Sequence, residues 1–266
     1  AMQAAVNQSH LYPDGNAFYL KNKLAAKLDL EPNNIILGNG SNEIIEFVSH
    51  ALLGSSDEIV VSQYCFAIYP LVAMMRGAKV NAVPAIEYGH DLPAMLNAIT
   101  PETRIVWVAN PNNPTGTLAK PDDVRALVES APDDVLLVMD EAYYEFIEEQ
   151  DYPSMINLVR QGLNVVVSKT FSKVYGMAGL RVGYLIAKPE LAKKIRENIV
   201  AMSNVLAIEG AKEALVDKEF FNFSINKTNE AKESIYKTLD HLGLRYVRSH
   251  TNFIFFKSGI DIRKLG

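Results

Sequence analysis

The 266-residue sequence holds a single cysteine, Cys65. That excludes an internal disulfide framework and any cysteine-based metal cluster, and it fits a reducing, cytoplasmic setting. No apolar run approaches the roughly 18 residues needed to span a bilayer, and the first residues lack the basic flank and apolar stretch of a signal peptide, so no membrane partner is expected. The five histidines, His10, His50, His90, His241 and His250, are scattered without ligand spacing, and no metal site is expected. Positive charge is in deficit: 26 Lys and Arg against 31 Asp and Glu leave a net charge of -5. Long-range attraction for nucleic acid or anionic lipid is therefore absent, and any anionic ligand must be caught locally. Repeats, low-complexity tracts and Gly/Ser linkers are missing as well.

What remains is an ordinary globular composition, 48% hydrophobic and 21% charged, which argues against disorder. The length suits one main domain plus a smaller or incomplete second one. Short apolar, β-branched runs recur at Ile59–Val61, Lys79–Val83, Arg104–Ala109, Val135–Met139, Asn164–Ser168 and Arg181–Ala187. Near-continuous apolarity predicts strands buried on both faces, hence an α/β fold with a mainly parallel sheet covered by helices. Between them, Pro121-Asp122-Asp123 opens a helix through Ser130, and Gly77 closes one that includes Leu71–Arg76. Pro189 starts a helix predicted to run through Met202 and lead out of the main domain. A helical pattern from Glu209 to His241 and a strand at Thr251–Phe256 suggest a second, α+β domain. The chain reads as beginning inside a helix and stopping at Asp261–Gly266 as another starts, so further C-terminal sequence is expected.

Four motifs carry chemistry. In Ser168-Lys-Thr-Phe-Ser-Lys173, a lysine after a buried strand and among hydroxyls can act as an amine nucleophile toward an aldehyde. Arg181, in the following Gly176–Gly183 stretch, joins Thr170 and Ser172 as groups able to hold a phosphate. Standing alone, this segment would read as a surface lysine in a helix–loop stretch. Asp140-Glu-Ala-Tyr143 follows an apolar strand; a carboxylate there needs a cationic partner such as a pyridinium nitrogen, with Tyr143 near the same ring, or else it caps a helix or pairs with an arginine. Asn110-Pro-Asn-Asn-Pro-Thr-Gly116 encodes a sharp, rigid turn that would present Asn113 as a donor. Gly38-Asn-Gly-Ser-Asn-Glu43 turns into a helix, where free N–H groups, Ser41 and Asn42 suit an anion, although a simple N-cap explains it nearly as well. It has neither the GxGxxG spacing nor the GK[ST] ending, so no dinucleotide fingerprint or P-loop is supported. Of Tyr64, Phe66 and Tyr69, only Phe66 is expected to touch a ligand; the others, like Tyr144, read as packing. Asp122-Asp123 and Asp133-Asp134 read as solvated.

In this order, GNGSNE, NPNNPTG, DEAYYEF and SKTFSKVYGMAGLRVG resemble the fold-type I aminotransferases, most closely the histidinol-phosphate aminotransferase family. The likeness extends from Leu11–Gly15 to Thr251-Asn-Phe. It implies pyridoxal 5′-phosphate, carried as a Schiff base on Lys173, which also moves the catalytic proton. It further implies Asp140 at the ring nitrogen, Asn113 and Tyr143 at the ring's 3′ oxygen, Phe66 on the ring face, and Ser41, Asn42, Thr170, Ser172 and Arg181 around the phosphate. Tyr12 would reach the phosphate of a neighbouring subunit, implying a homodimer. Asn42 stands where many family members have Asp, and the family's N-terminal Asn-Glu-Asn-Pro segment and C-terminal substrate-binding arginine are not in this sequence. The implied domains are an N-terminal segment, 1–30, belonging to the small domain and the dimer contact; a large cofactor domain, 31–205; and a truncated small domain, 206–266. The implied reaction is amino transfer between histidinol phosphate and 2-oxoglutarate. An aromatic amino-acid aminotransferase, a phospho-amino-acid decarboxylase and a non-catalytic binding protein that keeps the fold are the alternatives.

Overall fold

The computed structural model describes residues 1–199 and 203–264. One seven-stranded sheet organises them, with strands β1 Ile35–Gly38, β2 Glu58–Ser62, β3 Lys79–Val83, β4 Thr103–Ala109, β5 Leu136–Asp140, β6 Val165–Thr170 and β7 Gly183–Ile186. Their order is β1-β7-β6-β5-β4-β2-β3. All neighbours pair in parallel except β7, which runs antiparallel to both β1 and β6. The described α-helices are α1 Met2–Val6, α2 Phe18–Leu28, α3 Ser41–Leu52, α4 Ile68–Met75, α5 Leu92–Asn97, α6 Pro121–Ser130, α7 Ile156–Arg160, α8 Pro189–Arg196, α9 Val205–Ala214 and α10 Lys218–His241. None of them is long and apolar enough to cross a membrane.

The central strands are apolar throughout because each face of the sheet meets its own core. Val106, Val108, Leu137, Met139, Val165 and Val167 look into one cluster; Ile105, Trp107, Leu136, Val138 and Val166 look into the other. This is the alternation of successive side chains along a strand. Each fully buried Val, Leu or Ile contributes roughly 1.5–3 kcal/mol relative to an exposed one, so burial along the central strands contributes much of what holds the sheet together.

Several expectations are corrected. β1 is an addition: its apolar run Ile35–Leu37 is as long as Ile59–Val61 but leads straight into the glycine turn Gly38–Gly40. The run Arg181–Ala187 forms strand only from Gly183, because Arg181 has a left-handed φ of 56°. The helix from Pro189 ends at Arg196 rather than Met202, with Lys193, Lys194 and Arg196 at its negative end; residues 200–202 lie outside the described residues. The Glu209–His241 pattern breaks between α9 and α10, where the Asp217 carboxylate accepts the Phe220 N–H at 2.9 Å. Thr251–Phe256 is not a strand; a single bridge links Tyr246 and Phe256. Hydroxyls of Ser249 and Thr251 take the N–H groups of Thr251 and Phe253 instead. Local side-chain bonds of this kind compete with a ladder, and a lone two-stranded ribbon is marginal. At the C-terminus a short 3-10 turn spans Ile262–Lys264, and residues 265–266 lie outside the described residues.

Candidate active site

The C-terminal ends of parallel strands open onto a shared crevice, the usual place for a ligand in an open α/β sheet. Here the crevice is a cavity of about 440 Å³. Ser41, Asn42, Phe66, Asn113, Asp140, Tyr143, Ser172, Lys173 and Arg181 all line it, so the structure brings together residues that the sequence separates by up to 140 positions. Thr170 stands just behind, its hydroxyl 3.0 Å from that of Ser172. Tyr12 is elsewhere: it is 92% exposed and borders a different depression beside α9.

Asp140 ends β5 and is buried. Its Oδ1 accepts the Ala142 N–H at 3.1 Å and its Oδ2 accepts the Tyr69 hydroxyl at 2.7 Å. Burial pushes the carboxyl above the usual carboxylate range, against the opposing pull of Tyr69, the Ala142 N–H and the nearby Lys173 amine. A buried acid held this way favours a cationic group placed in the cavity. From sequence Tyr69 reads as packing only. It does pack, stacked on Trp107 at 4.7 Å, but a buried tyrosine also needs a partner for its O–H.

Asn110 and Asn112 shape their loop from within. The Asn110 amide donates to Tyr152 Oη at 2.6 Å and accepts from Ala119 N–H at 2.9 Å, while Asn112 donates to Tyr64 O and Thr115 Oγ1. Both Asn–Pro bonds are cis. Gly116, at φ 77°, lies so close to Ser249 that a Cβ there would collide with it. Only Asn113 has its amide directed at the cavity, 3.5 Å from the Tyr143 hydroxyl. The Lys173 amine sits 5.0 Å from the centre of the Tyr143 ring.

The motif contains a second lysine, Lys169, and the fold separates the two. Side chains alternate along β6, so Lys169 points away from the cavity into a buried cluster, 3.2 Å from Glu141 and 3.0 Å from Glu145. Burial alone would lower its pKa, but Glu145 and Glu141 outweigh burial and hold it above the ordinary lysine value. Lys169 is a fixed cation; Lys173 is the amine facing the cavity.

At the other end of the cavity, α3 begins without a side-chain cap because its N-cap residue is Gly40, and Glu43 in its first turn accepts the Asn39 N–H at 2.6 Å. Its first-turn N–H groups are thus left toward the cavity, beside Ser172 and Arg181, whose guanidinium donates to Ser172 Oγ at 3.4 Å and to Ala178 O at 3.0 Å. A Cβ on Gly40 would strike the Arg181 guanidinium, and one on Gly183 would come within 2.7 Å of the Gly40–Ser41 backbone. This is a close-fitting, cationic cup for a small dianion. Among the described residues no group of three His, Cys, Asp or Glu side chains is placed to hold a metal.

An amine facing a cavity, a buried acid across from it and an anion cup define an α/β enzyme built around an aldehyde-bearing, phosphorylated cofactor. Residues 1–261 match the family described as aminotransferase class I and II, and the chain belongs to that family. It is 40% identical over its whole length to histidinol-phosphate aminotransferase 1 of Nitrosococcus oceani, covering 71% of that protein. It is 45% identical over 98% of its length to histidinol-phosphate aminotransferase 2 of Ralstonia nicotianae, covering 70% of that one. Among solved structures it resembles histidinol-phosphate aminotransferase from Sinorhizobium meliloti in complex with pyridoxal-5′-phosphate, with a TM-score of 0.92, 28% identity, and 98% and 72% of the two chains covered. The fold is that of the fold-type I transferases.

Proposed function

We propose that the chain acts as a pyridoxal-phosphate-dependent histidinol-phosphate:2-oxoglutarate aminotransferase. The observation that carries this reading is the single cavity shared by Lys173, Asp140 and the Ser41–Arg181 cup, in a chain 40–45% identical to two proteins named for that activity. The residues fit the cofactor: the cup suits a phosphate, and the buried carboxylate suits a protonated ring nitrogen. When bound, pyridoxal phosphate supplies an aldehyde and an electron-withdrawing ring that stabilises negative charge on the substrate's α-carbon.

This chain's own residues do the rest. The Lys173 amine is the nucleophile toward the aldehyde and then carries the proton removed from the substrate's α-carbon. Asp140 holds positive charge at the ring nitrogen, Asn113 and Tyr143 orient the ring through its 3′ oxygen, and Phe66 covers one face. Ser41, Asn42, Thr170, Ser172 and Arg181 bind the phosphate, and Tyr12 serves the same end from a neighbouring subunit in a cytoplasmic homodimer.

The test is cofactor loading followed by an amino-donor screen. Borohydride should fix the cofactor mass on the Lys173 peptide. Histidinol phosphate should convert the bound cofactor to its amine form faster than phenylalanine does, and 2-oxoglutarate should restore it. A Lys173→Ala protein with full turnover would end the proposal. Release of carbon dioxide, or preference for phenylalanine, would replace the substrate assignment.

A further inference from the structure

Tyr69 makes the shortest hydrogen bond that Asp140 accepts, and nothing about its sequence context announces it. We infer that Tyr69 is a positioning residue that holds Asp140 ionised and aimed at the cavity, so that cofactor affinity depends on a hydroxyl contributed from α4. This rests on the assignment of Asp140 to the ring nitrogen.

The geometry is specific. Tyr69 is 1% exposed, with its ring lying flat on Trp107 at 4.7 Å and 9° and meeting Phe66 edge-on at 5.7 Å. Clamped between two aromatic rings, the phenol cannot swing away. Its O–H therefore stays 2.7 Å from Oδ2. The backbone N–H of Ala142 occupies Oδ1. Two donors on two different oxygens fix the carboxylate plane, while each oxygen keeps a lone pair for a cationic partner. An O–H bond to an ionised carboxylate is roughly twice as strong as one between neutral groups, and a protonated Asp140 would forfeit it. The other charged or titratable groups near this pair are Lys173, Glu141, Tyr143 and Cys65. Of these, only Lys173 carries positive charge, so Tyr69 is the neutral side chain on which the ionised form depends, beside the Ala142 N–H. Its own proton is secure, since burial and the adjoining carboxylate push the phenol well above its usual range.

The decisive variant is Tyr69→Phe, which keeps the ring, and with it the stacking, and removes only the donor. Equilibrium binding of pyridoxal phosphate to the apoprotein should weaken about tenfold at pH 8, the effect of losing one hydrogen bond to a charged group. The acid limb of the affinity-against-pH curve should also move to higher pH, because Asp140 then gains a proton more readily. In an Asp140→Asn background the same substitution should change affinity by less than about twofold, since the coupled charge is gone. A purely structural role for Tyr69 predicts equal losses in both backgrounds and an unmoved acid limb, and either result overturns the inference. If Asp140→Asn alone leaves affinity unchanged, the ring-nitrogen assignment fails. If Asp140→Asn weakens binding and Tyr69→Phe does not, the inference about Tyr69 fails by itself.

Discussion

Replacing Lys169 with methionine isolates the buried ion cluster behind the cavity. The lysine side chain is 7% exposed and its partners Glu141 and Glu145 are 2% and 13% exposed, so solvent does little to screen the pairs. Its ammonium also lies 4.3 Å from the centre of the Tyr144 ring. Removing one member of a buried pair costs about 3–5 kcal/mol, because the remaining charge is stranded. Glu141 keeps the Ser154 hydroxyl at 2.7 Å and the Met155 N–H at 2.7 Å, which softens the loss. A value near 3 kcal/mol is therefore expected.

Urea unfolding followed through the fluorescence of the sole tryptophan, Trp107, measures the change, since that residue is buried in the opposite face of the same sheet. Lys169 has a folded-state pKa above the unfolded value of 10.5, so its contribution is complete below about pH 10.5 and is lost only as pH rises beyond that. Wild-type stability should thus show no loss from this source between pH 6 and 9. The methionine variant should recover part of its deficit as pH falls and the stranded carboxylates are neutralised by protons. Adding Glu141→Gln and Glu145→Gln should restore most of it at pH 8. A deficit below about 1 kcal/mol, the size of an exposed pair, would refute the reasoning, as would a triple variant no better than the single one.

Two further substitutions test the cup and the asparagine loop. Gly183→Ala should lower cofactor affinity at least tenfold by roughly the 1.4 kcal/mol that defines a factor of ten, because its Cβ would lie 2.7 Å from backbone at Gly40 and Ser41 and must push the start of α3 outward; equilibrium dialysis with pyridoxal phosphate reads it, and unchanged affinity contradicts the close approach. Asn110→Ala should destabilise the fold by about 1–3 kcal/mol, mainly through the orphaned Ala119 N–H, since the Tyr152 hydroxyl keeps its bond to Ala119 O at 2.6 Å. A urea midpoint matching wild type would rule that out.

The buried parallel strands could be read in advance because a strand covered on both faces must be apolar almost throughout, and Ile59–Val61, Arg104–Ala109 and Val135–Met139 are. β1 obeys the same rule, with Ile35–Leu37 as apolar as Ile59–Val61, but its strand ends in the glycine turn that opens α3 and reads with that loop. The direction of β7 escaped it because apolarity carries no sense of direction. A clue was present: the twelve residues between β6 and β7 include Gly176 and Gly179 and form no α-helix. A parallel return usually crosses over through an α-helix. Site chemistry was legible where residue types are costly in a core, as with Asp140, or encode backbone shape, as with Asn110–Gly116. Tyr69 was not, because a tyrosine at a buried helical position reads as packing and its partner lies 71 residues away.

The reversed strand is what completes the anion cup. Gly38, Gly183 and Thr170 lie in one row across β1, β7 and β6. Because β7 runs against its neighbours, it begins at the edge where β1 and β6 end, and Arg181, two residues earlier, emerges beside Ser172 and the start of α3. A parallel β7 would begin at the far edge, about 10 Å away at roughly 3.3 Å per step over the three steps from Gly183 to Ile186. Arg181 would then leave the cup. The tight approach of Gly183 to the Gly40–Ser41 backbone draws the α3 N-terminus toward the same point. Volume-conserving changes at Leu185 or Ile186 should therefore leave anion binding intact, whereas position 183 tolerates no side chain: the cup depends on the direction and closeness of β7, not on its apolar composition.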